Sequence, residues 1–274
     1  MQERVRTDVA ADGLVLETRV DGAIAILTLN RPQARNAMSL AVLGELHTAF
    51  ERLGRDGKVA AIVLAGNGPA FCSGHDLKEM TAHRADADGG RAFFDKTMRA
   101  CSAMMQAIVA CPKPVIAAVH GIATAAGCQL VASCDLAVAA ETATFATPGV
   151  NIGLFCSTPM VALSRNMSRK QTMEMLLLGE MVSAPEALRW GLVNRVVPQG
   201  QVIDAALAMA RTIAAKSKTV VALGKPAFYA QLEMPLDKAY DYTAKIMVEN
   251  MMRQDAEEGI CAFLEKRDPE WKDN

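Results

Sequence analysis

No apolar run in this sequence reaches the roughly 20 consecutive residues that an α-helix needs to cross a bilayer, so no membrane span is expected. Basic and acidic residues balance, 29 against 30, and the lysines and arginines are scattered. A protein with that distribution has no electrostatic footprint for nucleic acid. The GxxxxGK[ST] phosphate loop, the GxGxxG dinucleotide fingerprint and the GxSxG nucleophile elbow are all missing, which removes support for nucleotide and serine hydrolysis. The 7 cysteines contain no CxxC pair and the 4 histidines no HExxH pattern. No metal site is expected, and cysteines inside apolar runs are expected to be reduced core thiols. Internal repeats, low-complexity tracts and linkers are absent as well. The opening MQERVRTDVAADG mixes Asp and Glu with Arg, unlike a secretory or mitochondrial leader. A soluble, cytoplasmic protein is the expectation.

What is present is an alternation of β-prone and helical stretches. Leu14 to Val20 and Ala23 to Leu29 meet at Asp21-Gly22, a dipeptide that tolerates the positive φ of a tight hairpin. Ser39 is placed to cap a helix whose Leu40, Leu43, Leu46, Phe50 and Leu53 recur at helical spacing, with Met38 and Leu43 as a hydrophobic staple. The stretch Val59 to Leu64 predicts a buried strand, Ala92 to Val109 a helix, Val115 to Val119 a strand. A short helix from about Gly127 and a strand Leu136 to Ala140 follow. Near-continuous apolar strands alternating with helices indicate an α/β protein. Cys111-Pro112-Lys113-Pro114 must stop the helix before it, because proline lacks the amide hydrogen. Beyond about Ser164 helix signals dominate, with Ser183 and Glu186 as a capping box and Gly191 as a stop. The division expected is an α/β core over 1–195 and a helical region over 196–274. Leu236 to Phe263 is too apolar for a lone surface helix and needs cover from the core or another subunit. Thr81 to Gly90, TAHRADADGG, is the stretch expected to be mobile.

Two glycine-punctuated turns follow strands: Ser73-Gly74-His75 within FCSGHDLKEM, and Ala125-Ala126-Gly127 within GIATAAGCQLVASCD. Each is expected to expose backbone amides at a strand end, the second also at the start of a helix, where unpaired donors and the helix dipole favour negative charge. Small residues suit such a place because a bulky side chain would keep a carbonyl from the backbone.

The order and content of LNRPQARNAMS, IVLAGNGPAFCSGHDLKEM, KPVIAAVHGIATAAGCQLVASCDLAVAAETATFATPGVNIGL and FLEKRDPEW resemble the crotonase, or enoyl-CoA hydratase/isomerase, superfamily over nearly the whole chain. The resemblance implies a crotonase (ClpP-like) fold, a spiral core of repeated ββα units with a helical C-terminal region used in trimerisation. It implies an acyl-CoA or enoyl-CoA ligand, with coenzyme A part of the substrate and no permanently bound cofactor, and a homotrimer or dimer of trimers. The amides of His75 and Ala126 would bind the thioester carbonyl oxygen. Ala34, Arg35, Ser73, Asp76, Leu77 and Lys78 would border the path of adenine and pantetheine, with Phe263 and Lys266 closing over the nucleotide, often from a neighbouring subunit. Lys78 and Lys266 are either point charges for phosphate or solvated surface lysines.

The pattern departs from the family at the positions of two glutamates that flank the added water. Here they read Gln129 and Gly149, with no carboxylate in Leu154-Phe155-Cys156-Ser157-Thr158 to replace them. An amide cannot act as general base, so Gln129 is expected to position water or substrate, and Gly149 to leave space, even for an anion such as bicarbonate. His75 offers a titrating ring or only its backbone, Cys156 a nucleophile or a core thiol, and Glu79 is expected to face solvent.

Overall fold

The computed structural model describes residues 13–273; the opening segment discussed above, up to residue 12, lies outside them. Strands β1 (Val15–Val20) and β2 (Ile24–Leu29) form the hairpin, with Val20 opposite Ile24. Asp21 and Gly22 both take positive φ in its loop, the property for which the Asp-Gly pair was singled out. Helix α1 (Leu40–Arg55) is capped by Ser39, whose Oγ accepts from the Val42 amide at 3.3 Å. Met38 and Leu43 are fully buried on either side of that cap.

Three passes of long strand, short strand and helix then build the core. The first is β3 (Ala61–Gly66), β4 (Ala70–Cys72), α2 (Leu77–Ala82) and α3 (Arg91–Ala110); the second is β5 (Val115–Val119), β6 (Ile122–Thr124) and α4 (Ala126–Ser133). The third is β7 (Leu136–Ala140), β8 (Thr144–Ala146), a 3-10 turn Pro148–Ile152, α5 (Pro159–Leu163) and α6 (Arg169–Leu178). Next come β9 (Val182–Ser183), α7 (Ala184–Trp190) and β10 (Arg195–Val197), then helices α8 (Val202–Ala214), α9 (Lys218–Leu232), α10 (Leu236–Met251) and α11 (Gln254–Glu265). Long strands enter one sheet, ordered β1-β2-β3-β5-β7-β10 and parallel from β2 onward, while short strands enter a second, ordered β4-β6-β8-β9. This is the repeated ββα spiral of the crotonase fold.

The cause is visible in the strands themselves. β3, β5 and β7 are continuous runs of small and branched apolar residues, almost wholly buried, as strands covered on both faces must be. Helix α8 covers β2, β3, β5 and β7, and the buried Ala206 and Ala210 allow it to approach closely. Helix α4 is buried at all of its positions, so it is an interior helix, with its N-cap Ala125 only partly covered.

Some expectations need revision. Segment Thr81 to Gly90, expected to be mobile, is largely exposed but carries local order: Asp88 accepts from the Gly90 and Ala92 amides at 2.9 and 2.8 Å before α3. Within it His83 stacks on Phe93 with ring centroids 3.6 Å apart. Cys261 is exposed, unlike the other six cysteines, although all seven are free thiols. The apolar stretch from Leu236 is two helices, broken at Met252-Arg253, and Tyr240, Met247, Val248, Met252 and Phe263 remain exposed. Among the described residues no helix is long and apolar enough to cross a membrane, and no group of His, Cys, Asp or Glu is arranged to hold a metal.

Candidate active site

The first turn begins where β4 ends at Cys72. Met38 forms an isolated parallel bridge with His75: the Met38 amide donates to the Gly74 carbonyl at 2.8 Å and the Asp76 amide to the Met38 carbonyl at 3.0 Å. In a parallel bridge the flanking groups make the bonds, so the intervening His75 amide points the other way. It makes no hydrogen bond among the described residues. The preceding loop is laced to this turn. Ser73 donates its amide to the Arg35 carbonyl at 3.1 Å, which puts Ala34 and Arg35 beside Ser73.

Two residues that sequence reasoning did not single out hold that loop. Asn36 is buried at positive φ, a conformation asparagine tolerates. Its side chain accepts from the Arg31 amide and donates to the carbonyls of Asn67 and Ala70. Arg31 donates to the Ala37 carbonyl and pairs with Asp76 at 2.9 Å. The signal was present, since both stand in NRPQARNAM. Asp76 also caps α2 by accepting from the Lys78 and Glu79 amides. Burial alone would raise its pKa, but Arg31 and these amides outweigh it and hold the carboxyl below the usual range. Leu77 and Lys78 are exposed at the start of α2. Glu79 does not simply face solvent, because its Oε2 accepts from the Leu40 amide at 3.0 Å and ties α2 to the start of α1.

The second turn lies directly against the first. β6 runs parallel to β4, and Thr124 Oγ1 donates to the Ser73 carbonyl at 3.1 Å. Ala125 then takes φ 50° and ψ −119°, a strained conformation for a residue with a side chain, and its amide is fixed by the Ala146 carbonyl at 2.9 Å. Ala126 opens α4, so its amide is one of the helix's unpartnered donors, and it makes no hydrogen bond among the described residues. Two glycines permit the approach. A Cβ on Gly74 would lie 2.9 Å from the Ala125 Cβ and 3.4 Å from the Ala126 nitrogen, and one on Gly127 only 2.1 Å from the Cys72 carbonyl oxygen. Two free amides from separate passes of the spiral thereby meet in adjoining turns.

The proton-moving positions look different. Gln129 lies one turn into α4, buried, with its Oε1 4.0 Å from the Cys101 thiol of α3. Burial pushes that thiol up to about 12, so it stays protonated. Gly149 does not leave space: a Cβ there would lie 2.7 Å from the Leu154 carbonyl oxygen and 2.8 Å from Cys156 Sγ. Cys156 fills the slot, which corrects the expectation of an open gap that could admit an anion. Burial raises the Cys156 pKa despite the Gly149 backbone nearby, as a core thiol requires and a nucleophile does not. The His75 ring is desolvated, which lowers its pKa against a weaker opposing effect of the Met38 carbonyl. The Met38 carbonyl lies near enough to act on the ring, but neither ring nitrogen reaches hydrogen-bond distance and angle with it.

Phe263 and Lys266 are not gathered with the others. Helix α11 packs on α9 and α10, which carry none of the other site residues. Phe263 is 81% exposed and Lys266 is the left-handed residue that ends the helix.

The comparisons with known proteins agree with this geometry. A family model described as Enoyl-CoA hydratase/isomerase matches residues 19–274. The rat enoyl-CoA hydratase domain-containing protein 3, mitochondrial, is 47% identical over 93% of this chain and 83% of its own length. A crystal structure of enoyl-CoA hydratase from Mycobacterium smegmatis superposes with a TM-score of 0.90 at 53% identity, covering 95% of this chain and 99% of that one. The crystal structure of human enoyl-CoA hydratase domain-containing protein 3 gives 0.88 at 46%, covering 94% and 99%. The matched span contains both glycine turns and the spiral that sets them side by side: the chain belongs to the enoyl-CoA hydratase/isomerase, or crotonase, family.

Proposed function

We propose that this protein binds acyl-CoA or enoyl-CoA thioesters and stabilises the enolate form of the acyl group, with hydratase- or isomerase-like lyase chemistry that is weak in hydration. The observation that carries the reading is the pair of unpartnered amides, His75 and Ala126, in adjoining turns at the N-terminus of a buried helix. Such donors fit a carbonyl oxygen that gains negative charge as an α-proton leaves, and each contributes about 3 kcal/mol to that state. A positioned acid or base contributes about a hundred- to ten-thousand-fold in rate, and neither Gln129 nor Gly149 can supply one. Coenzyme A enters as part of the substrate. Its path is bordered by Ala34, Arg35, Ser73, Asp76, Leu77 and Lys78, with Asp76 committed to Arg31 and thus contributing shape.

Phe263 and Lys266 then act on a neighbouring subunit's ligand, within a homotrimer or a dimer of trimers. A cytoplasmic location goes with this reading, although the rat relative carries the word mitochondrial in its name; cell fractionation checks it. The second reading is a non-catalytic acyl-CoA binder. It is favoured by Cys156 standing where a second acid would have to project.

Loss of enoyl absorbance on mixing with crotonyl-CoA and longer analogues separates the readings. Slow turnover supports the first, none the second, and turnover at an ordinary hydratase rate overturns the weakness assigned to hydration. Thermal stabilisation tests binding itself, since a ligand that prefers the native state raises the melting temperature. No shift with any CoA thioester would sink both readings.

A further inference from the structure

Packing does little to hold helix α11, because of its 12 residues only Asp255 and Ala262 are buried. A helix so placed opens at low cost unless something else ties it down. Residues 267–273 supply that tie. Lys266 takes φ 57°, its amide reaches the Phe263 carbonyl at 3.3 Å, and the Arg267 amide reaches the Ala262 carbonyl at 3.0 Å. This left-handed end of the Schellman type turns the chain back along its own helix. Arg267 then grips Glu258 with both terminal nitrogens, at 2.6 and 3.0 Å, and Glu258 also accepts from the Glu270 amide at 2.8 Å. A two-pronged guanidinium–carboxylate pair fixes direction as well as distance. Arg267 and the Glu270 amide hold the Glu258 carboxyl down to about 2, so the pair is charged at any pH near neutral.

The Trp271 ring lies on Gly259, where a Cβ would stand 3.1 Å from it. Its Nε1 donates to the Ala215 carbonyl, between α8 and α9, at 2.9 Å. At the other end of α11 the buried Asp255 accepts from the Ser217 hydroxyl, which caps α9, and from the Lys272 and Asp273 amides. Asp255, Glu258, Gly259 and Ala262 recur at helical spacing, so the returning chain binds one stripe of α11 along its length and joins it to α9. Ile260, Phe263 and Leu264 stand exposed beside that stripe.

Resting on the reading that Phe263 and Lys266 close over a neighbouring subunit's nucleotide, we infer that residues 267–273 are a strap that positions them. Glu258, Arg267 and Trp271 are positioning residues: they touch no ligand and set the angle at which α11 presents Phe263 and Lys266. A helix already fixed loses little freedom when a ligand meets it, whereas one that must first be ordered weakens the complex by that cost. Phe263 and Lys266 meet only the nucleotide end in that reading. The strap therefore contributes to affinity for coenzyme A thioesters and not for pantetheine thioesters, which end before the nucleotide.

The test is a pair of dissociation constants, for butyryl-CoA and for S-butyryl-pantetheine, by calorimetry on the full chain, with the assembled mass followed by light scattering. Glu258→Gln and Trp271→Ala should each weaken butyryl-CoA about threefold to tenfold, the range for side chains that binding must then order, at unchanged mass and with butyryl-pantetheine unaffected. Trp271→Phe, which keeps a ring on Gly259, should retain most of the affinity. When Phe263→Ala and Lys266→Ala are already present, neither strap substitution should add a further loss, because the strap acts through those two residues. Equal losses for both ligands, additive losses, or a loss that tracks a fall in mass would assign the strap to stability or assembly and overturn the inference. Undiminished affinity in both strap variants, while the native protein binds butyryl-CoA more tightly than butyryl-pantetheine, overturns it and leaves the reading of Phe263 and Lys266 standing. If the native protein binds the two ligands equally, that reading fails and the inference fails with it.

Discussion

At position 149 the surrounding backbone and a thiol leave no room for a side chain. Gly149 is followed by a turn that returns the Leu154 carbonyl and the Cys156 thiol to within 3 Å of where its Cβ would stand. Gly149→Ala should therefore lower stability by about 1–3 kcal/mol, the range for overpacking a dense site, measured as a shift in urea midpoint. Because one of the two obstructing atoms is a sulfur, Cys156→Ala should recover part of that loss, and a double-mutant cycle should show coupling. Full additivity would mean that the sulfur does not occupy the slot. For the same reason, Gln129→Glu with Gly149→Glu is expected to raise crotonyl-CoA hydration only when the Cys156 side chain is removed as well. His75 carries a pH signature. Its folded pKa lies below the unfolded value of about 6.5, so below that pH the unfolded chain binds the proton first and stability falls. His75→Phe lacks this loss, and its melting temperature relative to native should rise as pH drops from about 7.5 to 5.5. A difference independent of pH would show that the ring is not held neutral by burial.

Helix α9 shows how an element is fixed to the core by charge. It contains Pro226, which cannot donate to the helix ladder, and its neighbour Lys225 reaches inward. Lys225 Nζ meets Asp135 at 2.7 Å and donates to the carbonyls of Ile108 and Lys113, while Tyr229 donates to the other Asp135 oxygen at 2.9 Å. The Lys225 side chain is only 7% exposed. Lys225→Met would leave the part-buried Asp135 without its cation and should cost about 2–3 kcal/mol, below the range for a fully buried pair, read from chemical denaturation. A loss below about 1 kcal/mol, typical of surface pairs, would mean that the clasp is solvated. None of this was legible in the sequence, because Lys225, Asp135 and Tyr229 have no local pattern and meet only through the fold. What was legible depended on short-range chemistry: the Asp-Gly loop, the Ser39 cap, the Ser183-Glu186 box and the glycine turns, each determined by residues within a few positions. The resemblance of separated motifs supplied the spiral. Where expectation failed, at Glu79, Cys261 and Gly149, the deciding neighbour came from a distant segment or from a loop whose return path no periodicity encodes.

At the scale of the whole molecule, the C-terminal helices carry several large apolar side chains that stand in solvent. Leu236, Tyr240, Met247, Met252 and Phe263 are each more than 60% exposed, and exposed apolar side chains in that number are expected to mark an association surface. The tail beyond them is firmly tied down. Asp255, itself buried, accepts from the Ser217 hydroxyl and from the Lys272 and Asp273 amides, so the helices are held in place to present the patch. Light scattering in solution is expected to give the mass of three or six chains. Met252→Lys together with Tyr240→Lys, charges that cannot be desolvated cheaply in an interface, should shift it toward a single chain while the spiral core stays folded by circular dichroism. Since Phe263 and Lys266 lie at α11 apart from the other proposed site residues, the dissociated variant should also bind CoA thioesters several times more weakly, even though the His75 and Ala126 amides are intact. A monomeric native protein, or a dissociated variant with undiminished affinity, would mean that each chain completes its own site, and that Phe263 and Lys266 do not close over the nucleotide of a neighbour.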